Sequence, residues 1–338
     1  MFAFNMILNN IMAVYYYIKA KYLRKKGCYS YLVLKLFFRA FELEKNKNYL
    51  LGYLKYQRDL GLLINIELVE EIIFFWSQFN KKEQMFISAL LLENHAKHLV
   101  PSDFAYDAIN QIPAALTFKN SLSLSQQQQY LLSIYNQQNL WRFQLAKALQ
   151  QHARGKGICI VGNAGNMSCS ALGHAIDAAG FIVRFNAFKS GGEFIIDLGK
   201  QCNLWCVTPS FKPSVLHTLD WLLVTGPEMQ YQLVDWSAFY PFCKAQVPIL
   251  TIPLEVWRQL VSELQAPPSA GLSVLAFFYW LLDSWIGVSV AGFGALSEIE
   301  TNYHYMSAKN KASQRHNWEG EKRILRRWLR EGLTSLHN

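Results

Sequence analysis

The chain has 338 residues and a formal charge of +9, with 51% hydrophobic, 14% aromatic and 17% charged residues. A sequence this apolar buries enough surface to offset its ordering entropy, which excludes disorder as the main state, and six Cys are too sparse for a disulfide scaffold. The length predicts two domains or three, and the positive balance suits an anionic ligand, a nucleic acid or an anionic membrane surface.

The first segment, Met1 to Ile18, is apolar but carries Asn5, Asn9 and Asn10. It has no basic start and no small-residue cleavage site, so it does not read as a secretory signal. The run stops at Lys19, short of the roughly 20 apolar residues that a membrane span needs. Lys19, Lys21, Arg24, Lys25 and Lys26 stand beside Tyr15, Tyr16, Tyr17 and Tyr22. Two readings fit: an interfacial helix resting on anionic lipid, and the first helix of a soluble helical domain with a solvated basic end.

Residues 1–150 read as an all-α domain. Between Glu67 and Phe79, Leu68, Val69, Ile72, Ile73 and Trp76 fall at helical spacing. Similar periodicity runs through Tyr29–Leu43, Gln84–Leu92 and Tyr130–Leu149. Pro101 and Pro113 mark breaks, and the polar Ser121–Gln129 reads as a linker or a helix start. The pattern changes near residue 155. Gly157–Val161, Phe181–Phe185, Leu204–Thr208, Trp221–Thr225, Val247–Ile252 and Ile286–Ala291 are short apolar runs that read as buried strands. Helices are expected at Ser168–Ala179 and Ser269–Asp283, and a basic amphipathic one at Trp318–Leu333, whose Arg323, Arg326, Arg327 and Arg330 read as a solvated face. Strands alternating with helices predict an α/β fold for residues 151–338, with a mostly parallel sheet covered on both faces. Cys28, Cys159, Cys169, Cys202, Cys206 and Cys243 show no zinc spacing and read as mostly buried thiols in a reducing compartment.

GNAGN at 162–166 lies between the first expected strand and the helix after it. Such a turn lets backbone N–H groups approach an anion, with a helix N-terminus adding its dipole. It fits neither the dinucleotide fingerprint nor a P-loop, and its glycines could equally serve a tight turn alone.

The wider pattern carries more. Residues 158–186 read ICIVGNAGNMSCSALGHAIDAAGFIVRFN, residues 268–294 read PSAGLSVLAFFYWLLDSWIGVSVAGFG, His304-Tyr305 follows, and HNWEGE closes the set at 316–321. In this order the four resemble the large, small, third and very small sialylmotifs of the eukaryotic-type sialyltransferase family, over about residues 155–332. DLGK at 197–200 also resembles a stretch that follows the large motif. The resemblance implies a Rossmann-like fold and an inverting transfer of sialic acid from CMP-sialic acid to a glycan hydroxyl. It implies that Asn163 and Asn186 contact the nucleotide, that Asn166 shapes the same turn, and that Ser269, Gly271, Gly292, Phe293 and Gly294 line the CMP site. By the same resemblance His304 sits near the donor phosphate, His316 is the catalytic base and Glu321 is its paired acidic residue. Histidine suits a base role near neutral pH. A leaving group with one phosphate makes a metal less necessary, and the chain has no Asp-x-Asp pair to hold one, so no metal or other cofactor is expected.

The sequence also departs from the family. Animal members link the large and small motifs by a disulfide, but the aligned positions here are Ile158 and Trp285. They carry a signal-anchor span, which this chain lacks. Ala270 replaces a usual Thr, and Met306 stands where an aromatic is usual. These departures point to a bacterial, cytoplasmic member, with peripheral contact to the inner membrane face and a glycan acceptor that is intracellular or lipid-linked, as in capsule or lipopolysaccharide assembly. CMP-Kdo or another CMP-linked 2-keto sugar acid is the alternative donor, because the motifs do not separate these. A non-catalytic scaffold in a glycan-assembly complex is the alternative of another class. Nucleic-acid binding is not expected, since only 15–26 interleaves basic residues with aromatics.

Overall fold

The computed structural model describes residues 2–65, 67–93, 124–189, 191–208, 211, 219–227, 236–294, 313 and 315–337. The first part is helical: α1 (Phe2–Lys25), α2 (Tyr31–Leu43), α3 (Lys47–Leu60), α4 (Glu67–Phe75) and α5 (Lys81–Glu93). Pro101 and Pro113 lie outside the described residues. The helices share a core that includes Phe37, Phe41, Leu50, Leu54, Tyr56, Ile72 and Ile87. The buried Asp59 carboxylate pairs with Arg24 at 2.5 Å and Arg58 at 2.8 Å.

The long helix α6 (Gln126–Arg154) starts with a capping box: the Ser125 hydroxyl accepts from the Gln128 N–H, and the Gln128 side chain accepts from the Ser125 N–H. Of the polar stretch Ser121–Gln129, residues 125–129 are therefore a helix start, and residues 121–123 lie outside the described residues. The strands are β1 (Ile158–Val161), β2 (Phe181–Phe185), β3 (Leu204–Val207), β4 (Trp221–Pro227), β5 (Ile249–Ile252), β6 (Val288–Ala291) and β7 (Thr334–Ser335). Between them lie α7 (Gly173–Asp177), α8 (Ile195–Leu198), α9 (Tyr240–Lys244), α10 (Leu254–Leu264), α11 (Ala270–Leu282) and α12 (Trp318–Arg330).

Among the described residues the seven strands are parallel, in the order β5-β4-β3-β2-β1-β6-β7. The α/β class and the parallel sheet agree with the sequence reading. Successive side chains point to opposite faces, so both faces need cover. Ile158 and Ile160 join a core built with Leu145 and Leu149 of α6, Leu272 and Leu275 of α11, and Ile324 and Trp328 of α12. Cys159 and Val161 join Met167, Ile176 and Leu198 on the other face.

The edge strand β5 is closed by a side chain. The buried Gln138 of α6 donates from Nε2 to the Ile249 carbonyl at 2.8 Å, and its Oε1 accepts from the Thr251 N–H at 2.8 Å. One amide thus meets the acceptor and donor that a further parallel strand would meet, which removes an exposed edge. The expected boundary at residue 150 falls inside α6, and α6 packs on the sheet. The α1–α5 core reaches the sheet part through α10. Trp257 and Val261 of α10 join that core, the Trp257 indole N–H donates to the Asp59 carbonyl at 3.1 Å, and Arg258 donates to the Gly61 carbonyl.

One expected helix is absent in most of its span. Of Ser168–Ala179 only Gly173–Asp177 is α-helical. Cys169 and Ala171 adopt left-handed φ of 58° and 54°, and the Asp197 carboxylate accepts from both of their N–H groups, at 2.7 and 2.8 Å. Gly173 lies so close to the Ile195 carbonyl that a Cβ has no room. These tertiary contacts override the local helical pattern. The C-terminal arginines are also not uniformly solvated: Arg327 makes a bidentate pair with Glu263 of α10, at 2.7 and 3.1 Å.

Candidate active site

From β1 the chain runs outward through β2, β3, β4 and β5 on one side, then crosses back to place β6 and β7 on the other side of β1. This is the switch point of an open α/β sheet, where the crevice beyond the strand ends takes ligands. The segments around GNAGN, Ser269, Gly292 and His316 come together there, while His304-Tyr305 lies outside the described residues. At the end of β1 the Gly162 N–H donates to the Ala291 carbonyl at 2.8 Å, and the Ala164 N–H donates to the Gly292 carbonyl at 3.1 Å. The two loops touch backbone to backbone. A Cβ on Gly292 would stand 2.5 Å from the Gly162 carbonyl oxygen, and Gly292 has φ +69°. Glycine at both positions is a requirement of this contact.

The asparagines occupy the same strand ends. Asn163 donates from Nδ2 to the Phe185 carbonyl at 2.9 Å, tying the end of β1 to the end of β2. Asn186, one residue beyond β2, has a left-handed φ of 44°. Its Oδ1 accepts from the Thr208 N–H at 3.0 Å, and its carbonyl accepts from the Trp205 indole at 2.7 Å. Its side-chain oxygen therefore shapes the β2–β3 ends. Asn166 lies in the single 3-10 turn Gly165–Met167, and its Oδ1 is buried with no protein partner among the described residues. The following helix is confined to Gly173–Asp177, so it does not start at this turn.

The small-motif segment attaches to β6 through Phe293. A Cβ on Gly271 would come within 2.9 Å of the Phe293 ring, so that ring packs on the first turn of α11. Gly294 lies against Ala164. Ser269 is the N-cap of α11, and its Oγ accepts from the Leu272 N–H at 3.2 Å.

Glu321 reaches Ser269 across 52 residues of sequence. Its Oε1 accepts from the Ser269 N–H at 2.7 Å, and its Oε2 meets the Ser269 Oγ at 2.6 Å. The carboxyl is 2% exposed. Burial pushes its pKa up to about 7, against the two hydrogen bonds from Ser269. Both oxygens are engaged by Ser269 and not by His316. The geometry makes Glu321 a clamp on the α11 cap.

His316 lies beside this clamp. Its Nδ1 is 2.8 Å from the Pro267 carbonyl, two residues before Ser269. A carbonyl only accepts, so Nδ1 carries the proton and Nε2 keeps its lone pair. Burial holds the ring's pKa below the ordinary histidine value, and Trp318 meets the ring edge-to-face at 5.1 Å. A neutral imidazole of fixed tautomer can accept a proton at Nε2. His304 lies outside the described residues.

One contributor was not foreseen. After β7 the His337 Nε2 accepts from the Gly292 N–H at 3.0 Å, and burial lowers the pKa of this ring as well. Nothing in the local sequence marks it, because the contact exists only once β7 has paired with β6. The DLGK stretch is structural: Asp197 holds the Cys169–Ala171 bend, Gly199 has φ +67°, and the Lys200 N–H donates to Asp177. Ile158 and Trp285, at the positions aligned with the animal disulfide, lie in one apolar core, with Trp285 against Trp328 at 5.1 Å. All six cysteines are free thiols.

Residues 104–234 match the family model of glycosyltransferase family 29 (sialyltransferase). Among solved structures, the chain is similar to a mammalian sialyltransferase in complex with Gal-beta-1-3GalNAc-ortho-nitrophenol, at 20% identity and a TM-score of 0.41, over 54% of this chain and 69% of that one. A second structure of a mammalian sialyltransferase matches with the same identity and TM-score, over 54% and 68%. No curated protein matches. The family match contains the β1 turn with Asn163 and Asn166 and the β2 end with Asn186, and it ends before Ser269 and His316. Over residues 104–234, less than half of its length, the chain is accordingly similar to glycosyltransferase family 29, the sialyltransferases.

Proposed function

We propose that this enzyme transfers sialic acid from CMP-sialic acid to a glycan hydroxyl with inversion, and that His316 is the general base. The observation that carries this reading is the Nδ1–H bond to the Pro267 carbonyl, which fixes the base tautomer beside the α11 cap. In the proposed step, Nε2 takes the proton of the acceptor hydroxyl as its oxygen attacks the anomeric carbon. The bond from that carbon to the phosphate oxygen breaks, and CMP leaves with the electron pair. Backbone N–H groups of the 162–166 turn other than those of Gly162 and Ala164, which bond Ala291 and Gly292, meet the developing phosphate charge in this reading, with His304 as a further partner. Asn163 and the glycine pair Gly162–Gly292 hold the nucleotide end. The proton on His316 returns to solvent after product release.

The same site would accept CMP-Kdo, since both donors present CMP and an anomeric carboxylate. A panel of CMP-sugars with free sugars and glycan fragments as acceptors decides between them. Turnover of CMP-sialic acid supports the reading, preference for CMP-Kdo moves the donor, and turnover of neither refutes it. His316→Ala should retain CMP binding and lose at least roughly 100-fold in transfer, the scale of a lost general base. Wild-type transfer by that variant would remove His316 from the role.

A further inference from the structure

We propose that α1 lies flat on an anionic lipid bilayer and docks the enzyme there. A helix on the surface of a water-soluble protein turns its large apolar side chains inward. α1 packs Tyr16, Tyr17 and Leu23 on the helical core but leaves a second apolar side turned outward. Ala13 and Ala20 are fully buried, while Ile7, Ile11, Val14, Ile18 and Tyr22 are between 45% and 60% exposed. Spacings of four, three, four and four residues put these five in one stripe, about 22 Å long at 1.5 Å per residue. No helix among the described residues is long and apolar enough to cross a membrane, so the stripe suits the boundary between headgroups and acyl chains.

The charge pattern selects the occupant. α1 contains no acidic residue, and Lys19, Lys21, Lys25 and Lys26 are all exposed at its C-terminal end. Arg24 instead turns inward to Asp59. Isoleucines and lysines on one outward side, with Lys19, Lys21 and Lys26 lying against Tyr15, Tyr17 and Tyr22 and not against carboxylates, match an apolar layer topped by phosphates. A second copy seated stripe to stripe would find no carboxylate on α1 to meet those lysines. Tyr15 and Tyr22, 51% and 58% exposed, stand where the stripe gives way to the lysines, the level at which aromatic rings sit in an interface.

The test is flotation of the full chain with vesicles of phosphatidylcholine alone, and of equimolar phosphatidylcholine and phosphatidylglycerol. The protein should float with the anionic vesicles and not with the neutral ones. Ile11→Asp with Ile18→Asp should weaken partitioning at least about 100-fold, and Lys21→Gln with Lys25→Gln about 25-fold. The second pair keeps the test open if the first disturbs folding. Equal recovery with both vesicle types, or with neither, would overturn the proposal. So would a dimer in solution that Ile11→Asp with Ile18→Asp dissociates, because the stripe would then belong to a second copy. Flotation needs no turnover, so its failure leaves the transferase reading standing.

Discussion

Replacing Glu321 with Gln tests the clamp on Ser269. Glutamine keeps both contacts: its oxygen accepts from the Ser269 N–H, and its amide donates to the Ser269 Oγ. What changes is the charge. In the folded chain burial raises the Glu321 pKa to about 7, whereas an unfolded glutamate titrates near 4.3. The folded state therefore binds this proton more tightly than the unfolded state. The contribution to stability is fully present below about pH 4 and is lost as pH rises through about 7. A shift of this size, at 1.36 kcal/mol per unit, amounts to about 4 kcal/mol, of which about 3 kcal/mol is lost between pH 5 and pH 8. Wild-type stability should accordingly fall by about that amount relative to the Gln variant between pH 5 and about pH 8. Urea unfolding of both proteins across that range measures it, and their difference cancels His316 and His337, whose lowered pKa values act in the opposite direction. Transfer activity should stay within about tenfold of wild type in Glu321→Gln, since the carboxyl positions α11 and carries no proton in the step. Parallel stability curves would refute the buried-acid argument. A loss of activity as large as that of His316→Ala would refute the positioning role.

Three further outcomes follow from the geometry. Transfer should rise with pH through an apparent pKa below the ordinary histidine value, because burial favours neutral His316; a pH–rate profile at saturating donor checks this, and an inflection above pH 7 would contradict it. Gly292→Ala forces a Cβ against the Gly162 carbonyl at φ +69° and should cost at least about 2 kcal/mol; an unchanged thermal melt would show that the two loops can separate freely. Gln138→Leu leaves the Ile249 carbonyl and the Thr251 N–H without their partner, and should cost about 3 kcal/mol and speed hydrogen exchange at Thr251; unaltered exchange would mean that another group closes the β5 edge.

The strands from β1 to β6 were legible because a parallel strand buried on both faces must be a short continuous apolar run. Ile158–Val161 and Leu204–Val207 are such runs. Thr334–Ser335 carries no such signal and is a strand only because β6 offers it an edge. The helix expected at Ser168–Ala179 is displaced by Asp197, some 26 residues away, which rewards left-handed backbone at Cys169 and Ala171 with two hydrogen bonds. The candidate site divides in the same way. The ordered motifs named candidate residues, and the structure places Gly292, Phe293, Gly271, Ser269, Glu321 and His316 on neighbouring segments, while Asn163 ties β1 to the end of β2. What each side chain does could not be read, because a role depends on the partner at the other end of a hydrogen bond.

The basic, aromatic-rich composition excluded disorder and allowed several anionic partners, and nothing in it chose among them. The sequence alone determined the apolar runs, the glycine positions and the helical first part, all of which are local. The tertiary structure alone decided strand order, the Ser269–Glu321 clamp, the Gly292–His337 contact and the outward turn of the α1 isoleucines. Each of these depends on groups far apart in the chain, whose encounter is set by the packing of the whole core.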